Sequence, residues 1–278
     1  MNPTVSIIIP CFNHGKYIQE TLDSIELAKR KYAVEVIVVN DGSSDEYTVS
    51  ILKQIEKKGY CVLNQANEGL GSARNNGIKL AKGKYILPLD SDNKVLSPYL
   101  NEAVDILEEN KLIDIVYGNA TYFGEKEGDW SVGDYSILKL ITGNYIDACA
   151  IYRKSVWQNI GGYDEKMPVM GIEDWDFWLA ISFKGFRFYY LKENCFEYRV
   201  LKDSMIHSLT TEKSEEVFQY IQKKHYYGII NENLENFFFK RFNENARQIA
   251  KHVTIKNLFI SIFIKISIKL ESLINVKS

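Results

Sequence analysis

Asp90-Ser91-Asp92 places two carboxylates two residues apart, directly behind the apolar run Tyr85-Ile86-Leu87-Pro88-Leu89. Such a pair can hold a hard divalent cation and a ribose hydroxyl together. Mg²⁺ and Mn²⁺ prefer oxygen ligands and keep waters and substrate phosphate oxygens in their shell. A second Asp-x-Asp, Asp174-Trp175-Asp176, shows that chance also supplies this spacing. Position behind a strand is what distinguishes the first pair. Glu173-Asp174 opens a helical pattern, where the helix dipole favours ionised carboxylates. An ionised carboxylate is the state a general base needs, although capping is the commoner use of acids in a first turn. Asp41 can accept a hydrogen bond from a nucleobase imide, or serve as the turn aspartate of Asp41-Gly42-Ser43-Ser44; the residues alone favour the turn. Arg74, near a helix start, suits a phosphate or base contact. Trp175 and Trp178 suit a sugar face or the core, and the core is the better reading for Trp178.

These side chains need a scaffold. Residues 5–9 form a continuous β-branched run, as expected of a strand buried on both faces. Residues 17–30 carry Ile18, Leu22 and Ile25 at helical spacing. A second buried strand is expected over 34–39. Asp45 caps a helix bearing Val49, Leu52 and Ile55, which stops at Gly59. Strands over 60–63 and 85–89 flank a helix over 71–82 closed by Gly83. This alternation predicts a parallel sheet with right-handed crossovers, and ligands in such sheets bind beyond the carboxyl ends of the strands. Pro10-Cys11-Phe12-Asn13, the 40–45 segment and the 90–93 segment all sit there. Gly69-Leu70-Gly71-Ser72-Ala73-Arg74 imitates a dinucleotide fingerprint, but it has Arg74 at the third glycine and follows the third strand, which argues against a Rossmann dehydrogenase. Ser97-Pro98 reads as an N-cap and first helical position, with Leu100, Val104 and Leu107 behind it. Strands are expected over 113–117 and 186–191, a variable loop over 118–134, a turn over 161–164 and a helix over 173–184.

The 278 residues carry 34 Lys+Arg against 36 Asp+Glu, a formal net charge of −2. That balance argues against a nucleic-acid binder working through a broad basic surface. Hydrophobic residues make up 46% of the chain, enough for a core, so disorder is excluded for its bulk. Cys11, Cys61, Cys149 and Cys195 form no CxxC pair, and a reducing cytoplasm is expected. The 5–9 run is too short for a signal peptide, and no apolar stretch is long enough for a plain transmembrane helix.

Seven segments in order carry a family resemblance: Val5-Ser6-Ile7-Ile8-Ile9-Pro10-Cys11-Phe12-Asn13, Val39-Asn40-Asp41-Gly42-Ser43-Ser44-Asp45, Gly71-Ser72-Ala73-Arg74-Asn75-Asn76-Gly77, Leu89-Asp90-Ser91-Asp92-Asn93, Gly161-Gly162-Tyr163-Asp164-Glu165, Glu173-Asp174-Trp175-Asp176-Phe177-Trp178 and Tyr198-Arg199-Val200. Over roughly residues 4–205 the chain resembles the inverting, nucleotide-sugar-dependent glycosyltransferases of family 2. The resemblance implies the GT-A fold: an α/β, Rossmann-like, mixed but mainly parallel central sheet flanked by helices, here with a C-terminal helical extension. It implies that Pro10, Phe12, Asn13, Asp41, Arg74, Asp90 and Ser91 line the donor pocket. Arg199 and the loop after it would close over the diphosphate. Asp90 and Asp92 would bind Mn²⁺ or Mg²⁺, Asp92 more directly. Asp174 would be the catalytic base, with Glu173 and Trp175 towards the acceptor. Asn40 and Asn93 stand where the family often has Asp; both reduce negative charge, and Asn still hydrogen-bonds. His207 reads as a solvated loop histidine rather than a metal ligand.

The implied reaction moves one sugar from a nucleoside-diphosphate sugar, UDP being the family's commonest, to a hydroxyl of a glycan or polyprenyl-diphosphate-linked acceptor in bacterial surface polysaccharide synthesis. The QxxRW signature of processive synthases is absent, so one sugar is expected per encounter. The alternative is a non-catalytic nucleotide-sugar or glycan-binding relative. A sugar nucleotidyltransferase is disfavoured, because residues 10–15 hold a single glycine. The domain is expected to span 1–212, followed by a helix-prone region over 213–278. Residues 251–278 hold Lys251, Lys256, Lys265, Lys269 and Lys277 against Glu271, five positive against one negative, a formal +4. Two readings of 253–278 stand side by side: an interfacial helix on an anionic membrane, or a helix packed on the domain or on a homodimer partner. The expected location is the cytoplasm, with the inner face of the cell membrane under the first reading.

Overall fold

The computed structural model describes residues 2–28, 31–202 and 210–225. Its parallel half is built from β1 (Val5–Cys11), β2 (Val34–Asp41), β3 (Cys61–Gln65) and β4 (Tyr85–Pro88), in spatial order β3-β2-β1-β4. Helices α1 (Gly15–Leu27), α2 (Glu46–Lys57) and α3 (Leu70–Leu80) connect these strands. Val5, Ile7, Ile8 and Ile9 are fully buried, which is why the first strand reads as an unbroken apolar run rather than an alternating one. Ile18, Leu22 and Ile25 turn one stripe of α1 onto the sheet. Asp45 caps α2 by accepting from Thr48 N at 2.8 Å, and Gly59 follows the helix at φ +97°.

Gly77 of α3 packs directly on the sheet. A Cβ added there would lie 2.5 Å from Ile8 Cγ2 and 3.0 Å from Val39 Cγ2. Overpacking of this kind costs about 1–3 kcal/mol. Gly77→Ala is therefore expected to lower the denaturant midpoint of unfolding at unchanged slope, and a wild-type midpoint would show that α3 is not pressed onto β1 and β2.

Beyond β4 the sheet continues through β8 (Ile151–Arg153), β6 (Ile115–Gly124), β9 (Phe188–Val200) and β5 (Lys94–Val95), with β7 (Gly128–Trp130) pairing β6. The pairings β4–β8, β8–β6, β9–β5 and β6–β7 are antiparallel, and β6–β9 is parallel. Helices α4 (Ser97–Glu109), α5 (Ile137–Thr142), α6 (Lys154–Ile160), α7 (Glu173–Phe183) and α8 (Thr211–Lys224) complete the described elements. Leu100, Val104 and Leu107 of α4 are buried as their spacing predicts.

Three expectations are corrected. The 118–134 stretch is not one loop: β6 runs on to Gly124 and forms a hairpin with β7. Gly124-Glu125-Lys126-Glu127-Gly128 make the hairpin turn, while Thr121, Tyr122 and Phe123 pair with Glu197, Tyr198 and Arg199 of β9. The 186–191 strand extends to Val200 for the same reason, with register shifts near Asn119. Ser97 is not the N-cap; Leu96 is, and Ser97 begins the helix.

Two compact units divide the chain, Met1–His225 and Tyr226–Ser278. The first includes α8 and so reaches past the boundary expected near 212, because Val217 and Ile221 are buried and Tyr220, Lys224 and His225 bond to Asp164 and Asp176. The tail over 253–278 and His207 lie outside the described residues. Among the described residues no helix is long and apolar enough to cross a membrane.

Candidate active site

The carboxyl ends of β1, β2 and β4 lie side by side, because these strands are parallel neighbours. β4 delivers Asp90-Ser91-Asp92 to that edge. Ser91 is held from below: its carbonyl accepts from Thr21 Oγ1 at 2.9 Å, and its hydroxyl lies 3.3 Å from His14 Nδ1. Arg199 donates from Nε to the Asp92 carbonyl at 3.0 Å and from its backbone N to Asn93 Oδ1 at 2.9 Å. The guanidinium also pairs with Glu20 at 2.8 Å and lies over the rings of Tyr17 and Phe123. With only 11% of its side chain exposed, Arg199 braces the acid turn.

Arg74 is the centre of the site. Its side chain is 2% exposed and donates to Asp90 Oδ1 at 2.8 Å and to Glu173 Oε1. The guanidinium lies over the Tyr163 ring, 5.5 Å from its centroid, and its Nε has no hydrogen-bond partner. Burial works against the Arg74 charge, but Asp90 and Glu173 outweigh it and hold the pKa above its ordinary value. Arg74 thus bridges the end of β4 to the start of α7. Glu173 is buried, and its second oxygen accepts from Gly171 N at 2.9 Å.

Asp174 follows on α7 and is half-buried. Its Oδ2 accepts from Asn144 Nδ2 at 2.8 Å and its Oδ1 from Trp175 N at 2.9 Å. The helix dipole does not decide its state. Burial and Glu173 push the carboxyl well above the usual range, Asp147 adds to this, and Arg74 opposes it. Asp92 is pushed up to about 7 by burial and by Asp90. Burial and Asp90 also raise Asp147, whose Oδ1 accepts from Cys149 N at 2.8 Å. The Tyr198 hydroxyl is raised by burial and then by Asp147, Asp90, Asp92 and Asp174. Five carboxylates and a phenol therefore share one electrostatic environment around the buried Arg74.

Other expected site residues have different roles. Asp41 is 5% exposed, and its carboxylate accepts from Gln65 Nε2, Glu68 N and Gly69 N at 2.8–3.0 Å. It fixes the 65–69 segment leading into α3. Asn13 sits at φ +55°, a region Asn tolerates. Its Oδ1 accepts from Ser44 N and Asp45 N, which ties the β1 end to the β2 end. Pro10 is buried in β1, and Phe12 is 43% exposed at the rim. Trp175 is only 7% exposed, with its indole N–H on Leu140 O at 2.6 Å. It is a packing residue and offers no open face to a sugar. Trp178 is fully buried as expected, donating to Ile146 O at 2.9 Å. Asn40 bonds Asn64 and Ser43 N, so both departures from acid at 40 and 93 are used in holding turns. Asp147 escaped sequence reading, because Ile146-Asp147-Ala148-Cys149 has no motif; Tyr198 lay within a quoted motif but carried no assigned role.

An open, mainly parallel α/β sheet with acids gathered at the strand ends defines the GT-A class of fold. The chain belongs to glycosyl transferase family 2, whose family model matches residues 6–161. It is 33% identical over 223 residues to a glycosyltransferase of Rickettsia prowazekii (strain Madrid E), covering 76% of this chain and 66% of that one. It is 27% identical over 249 residues to the chondroitin synthase of Escherichia coli, covering 86% and 34%. Of solved structures it resembles S. aureus TarS 1–349 in complex with UDP-GlcNAc, with a TM-score of 0.61 at 22% identity, covering 77% of this chain and 64% of that one. The chain thus spans about two thirds or less of each of these relatives' own length.

Proposed function

We propose that the chain transfers one sugar from a nucleoside-diphosphate sugar, UDP-linked, to a hydroxyl of a glycan or lipid-linked glycan in surface polysaccharide assembly, with inversion at the anomeric carbon. The observation that supports this reading is the bridge Asp90–Arg74–Glu173, which ties the acid turn after β4 to the start of α7, where Asp174 follows. Asp174 takes the proton of the attacking acceptor hydroxyl. Its raised pKa makes it a stronger base than a free carboxylate. Asp41 and Asn13 shape the nucleobase end by holding the turns around it, and Phe12 lies at its rim. Asp147 and Tyr198 face the sugar end. Support for the donor class comes from the TarS complex with UDP-GlcNAc, and for the polymer class from chondroitin synthase.

The family implies Mn²⁺ or Mg²⁺. The chemistry of the donor set fits: Asp90 and Asp92 offer hard oxygens from one turn, and they raise their surroundings' pKa values because their charge is incompletely compensated. Among the described residues no group of three or more His, Cys, Asp or Glu could hold a cation unaided, so substrate phosphate oxygens would have to complete the shell. When bound, such an ion offsets charge building on the departing diphosphate. Protons compete for Asp92, whose carboxyl is pushed up to about 7 by burial and by Asp90. The sign follows: cation-dependent donor binding weakens as pH falls below 7 and strengthens above it. Titration of UDP-GlcNAc with Mn²⁺ from pH 6 to 8 checks this, and Asp92→Ala is expected to remove the dependence. Donor affinity unchanged by chelator would remove the metal from the reading.

The test of the function itself is release of UDP from UDP-GlcNAc and other nucleotide sugars, with and without glycan acceptors. Donor binding without any hydrolysis or transfer would favour a binding protein.

A further inference from the structure

Asp176 is an acid the chemistry above leaves unused. It lies two residues beyond Asp174 in α7, so the two side chains leave the helix about 200° apart. Asp174 bonds Asn144 on one side of the helix, and Asp176 leaves on the opposite side, where it is 2% exposed. There α8 covers it. Lys224 Nζ lies 2.8 Å from Asp176 Oδ2, and His225 Nε2 lies 2.8 Å from Asp176 Oδ1. The same Lys224 Nζ reaches Asp164 Oδ2 at 2.5 Å, and the Tyr220 hydroxyl donates to that oxygen at 2.8 Å.

Asp164 belongs to the 161–165 turn, which is itself tied to α3. Asn75 donates to Tyr163 O at 2.9 Å and to Glu165 Oε1 at 2.8 Å, and accepts from Tyr163 N at 2.8 Å. Tyr163 stacks on Phe177 of α7, with centroids 4.0 Å apart, and carries Arg74 over its ring. Lys224 is therefore one cation shared by the two segments that enclose Arg74 and present Asp174.

We propose that α8 is a positioning strap for the catalytic helix: Lys224 and His225 hold Asp176, and through it the first turn of α7 that aims Asp174. This rests on the reading of Asp174 as the base. Asp176, Lys224 and His225 are positioning residues and touch no reacting atom. The N-cap of α7, Ile172, supplies no side-chain cap; Arg74 and Asn144 hold Glu173 and Asp174, and α8 holds the Asp176 side of the same turn. Small misplacements of a catalytic group cost up to about a hundredfold in rate.

The experiment compares the full-length chain with Lys224→Met, Lys224→Arg, the double variant Lys224→Met/His225→Ala, and Tyr220→Phe as the mildest probe. Amide exchange is followed over 172–178, over 161–165 and in β1, alongside UDP affinity and UDP release from UDP-GlcNAc. In Lys224→Met, exchange over 172–178 is expected to rise about tenfold while β1 keeps its protection, with turnover down about tenfold and UDP affinity within about twofold. Lys224→Arg restores most of both losses. Tyr220→Phe gives a smaller shift of the same pattern, confined to 161–165 and 172–178. Wild-type exchange over 172–178 in the double variant overturns the strap. So does an equal rise in β1, since that is general destabilisation. If the wild-type chain releases no UDP, the donor or base reading has failed, and the exchange pattern still decides the strap.

Discussion

Asp174→Asn lowers sugar transfer by about 10²–10⁴-fold, the range a positioned general base contributes, while donor affinity stays near wild type. The asymmetry follows from where Asp174 sits. It is on α7, bonded to Asn144 Nδ2 and Trp175 N, whereas the expected donor residues lie at the ends of β1, β2 and β4 and on α3. Removing its charge also relieves a local strain, because burial and Glu173 disfavour the ionised form. Asparagine keeps only one of the two acceptor oxygens, so a melt of the variant beside the wild type separates lost chemistry from lost stability. The measurement is transfer and donor hydrolysis beside nucleotide-sugar binding on one preparation. Transfer within about tenfold of wild type would take Asp174 out of the role of base. The pH profile adds a sign. The carboxyl is raised, so the protonated, inactive form persists to higher pH than for a free aspartate, and transfer falls as the solution is acidified. The asparagine variant loses that limb of the profile.

Arg74→Met is expected to be the most damaging single change to stability. The guanidinium is the buried partner of both Asp90 and Glu173. Deleting one side of a buried pair costs about 3–5 kcal/mol, because the remaining charge is left without compensation. At this size each kcal/mol moves Tm by roughly 2–4 °C, so a fall of about ten degrees is expected. Donor binding should fall with it, since Asp90 loses the contact that orients it. Arg74→Lys does not rescue, because one ammonium cannot reproduce a planar fork reaching two carboxylates. Adding Glu173→Gln to Arg74→Met should recover part of the loss, since it neutralises the more buried acid. That non-additivity is the sign of direct coupling. Additive behaviour of the two changes would show that the pair is not energetically linked.

Much of this architecture was legible before any coordinates. Val5, Ile7, Ile8 and Ile9 are covered on both faces, so their strand could only read as a solid apolar run. Asp45 three residues before Thr48, and Gly59 after Lys58, are local chemistry, and α2 begins and ends there. Asp90 and Asp92 stand out because a turn follows a buried strand. The second half of the sheet was less legible. The first parts of β6 and β9 were expected as strands, but their continuations over 119–124 and 192–200 are largely part-exposed, mixed in composition and paired over long sequence distance, so no local pattern separates those residues from loop. β8 has three residues and β5 two, and elements that short are specified by the partners they meet.

The sequence by itself determined the parallel α/β half, the order of the family's segments and the identity of the acids at the strand ends, because burial on both faces and turn chemistry are properties of neighbouring residues. Only the tertiary structure decided what those acids meet. It closed Arg74 on Asp90 and Glu173, brought in Asp147 from a segment without a motif, sealed the Trp175 indole against Leu140, and laid α8 on Asp176. The physical reason is that charge compensation and burial depend on distances across the fold. The same Asp-x-Asp spacing after β4 lies in a turn that sets both acids at the sheet edge, where Asp90 meets Arg74. On α7 it is two acids with opposite duties, because a helix turns them to opposite sides.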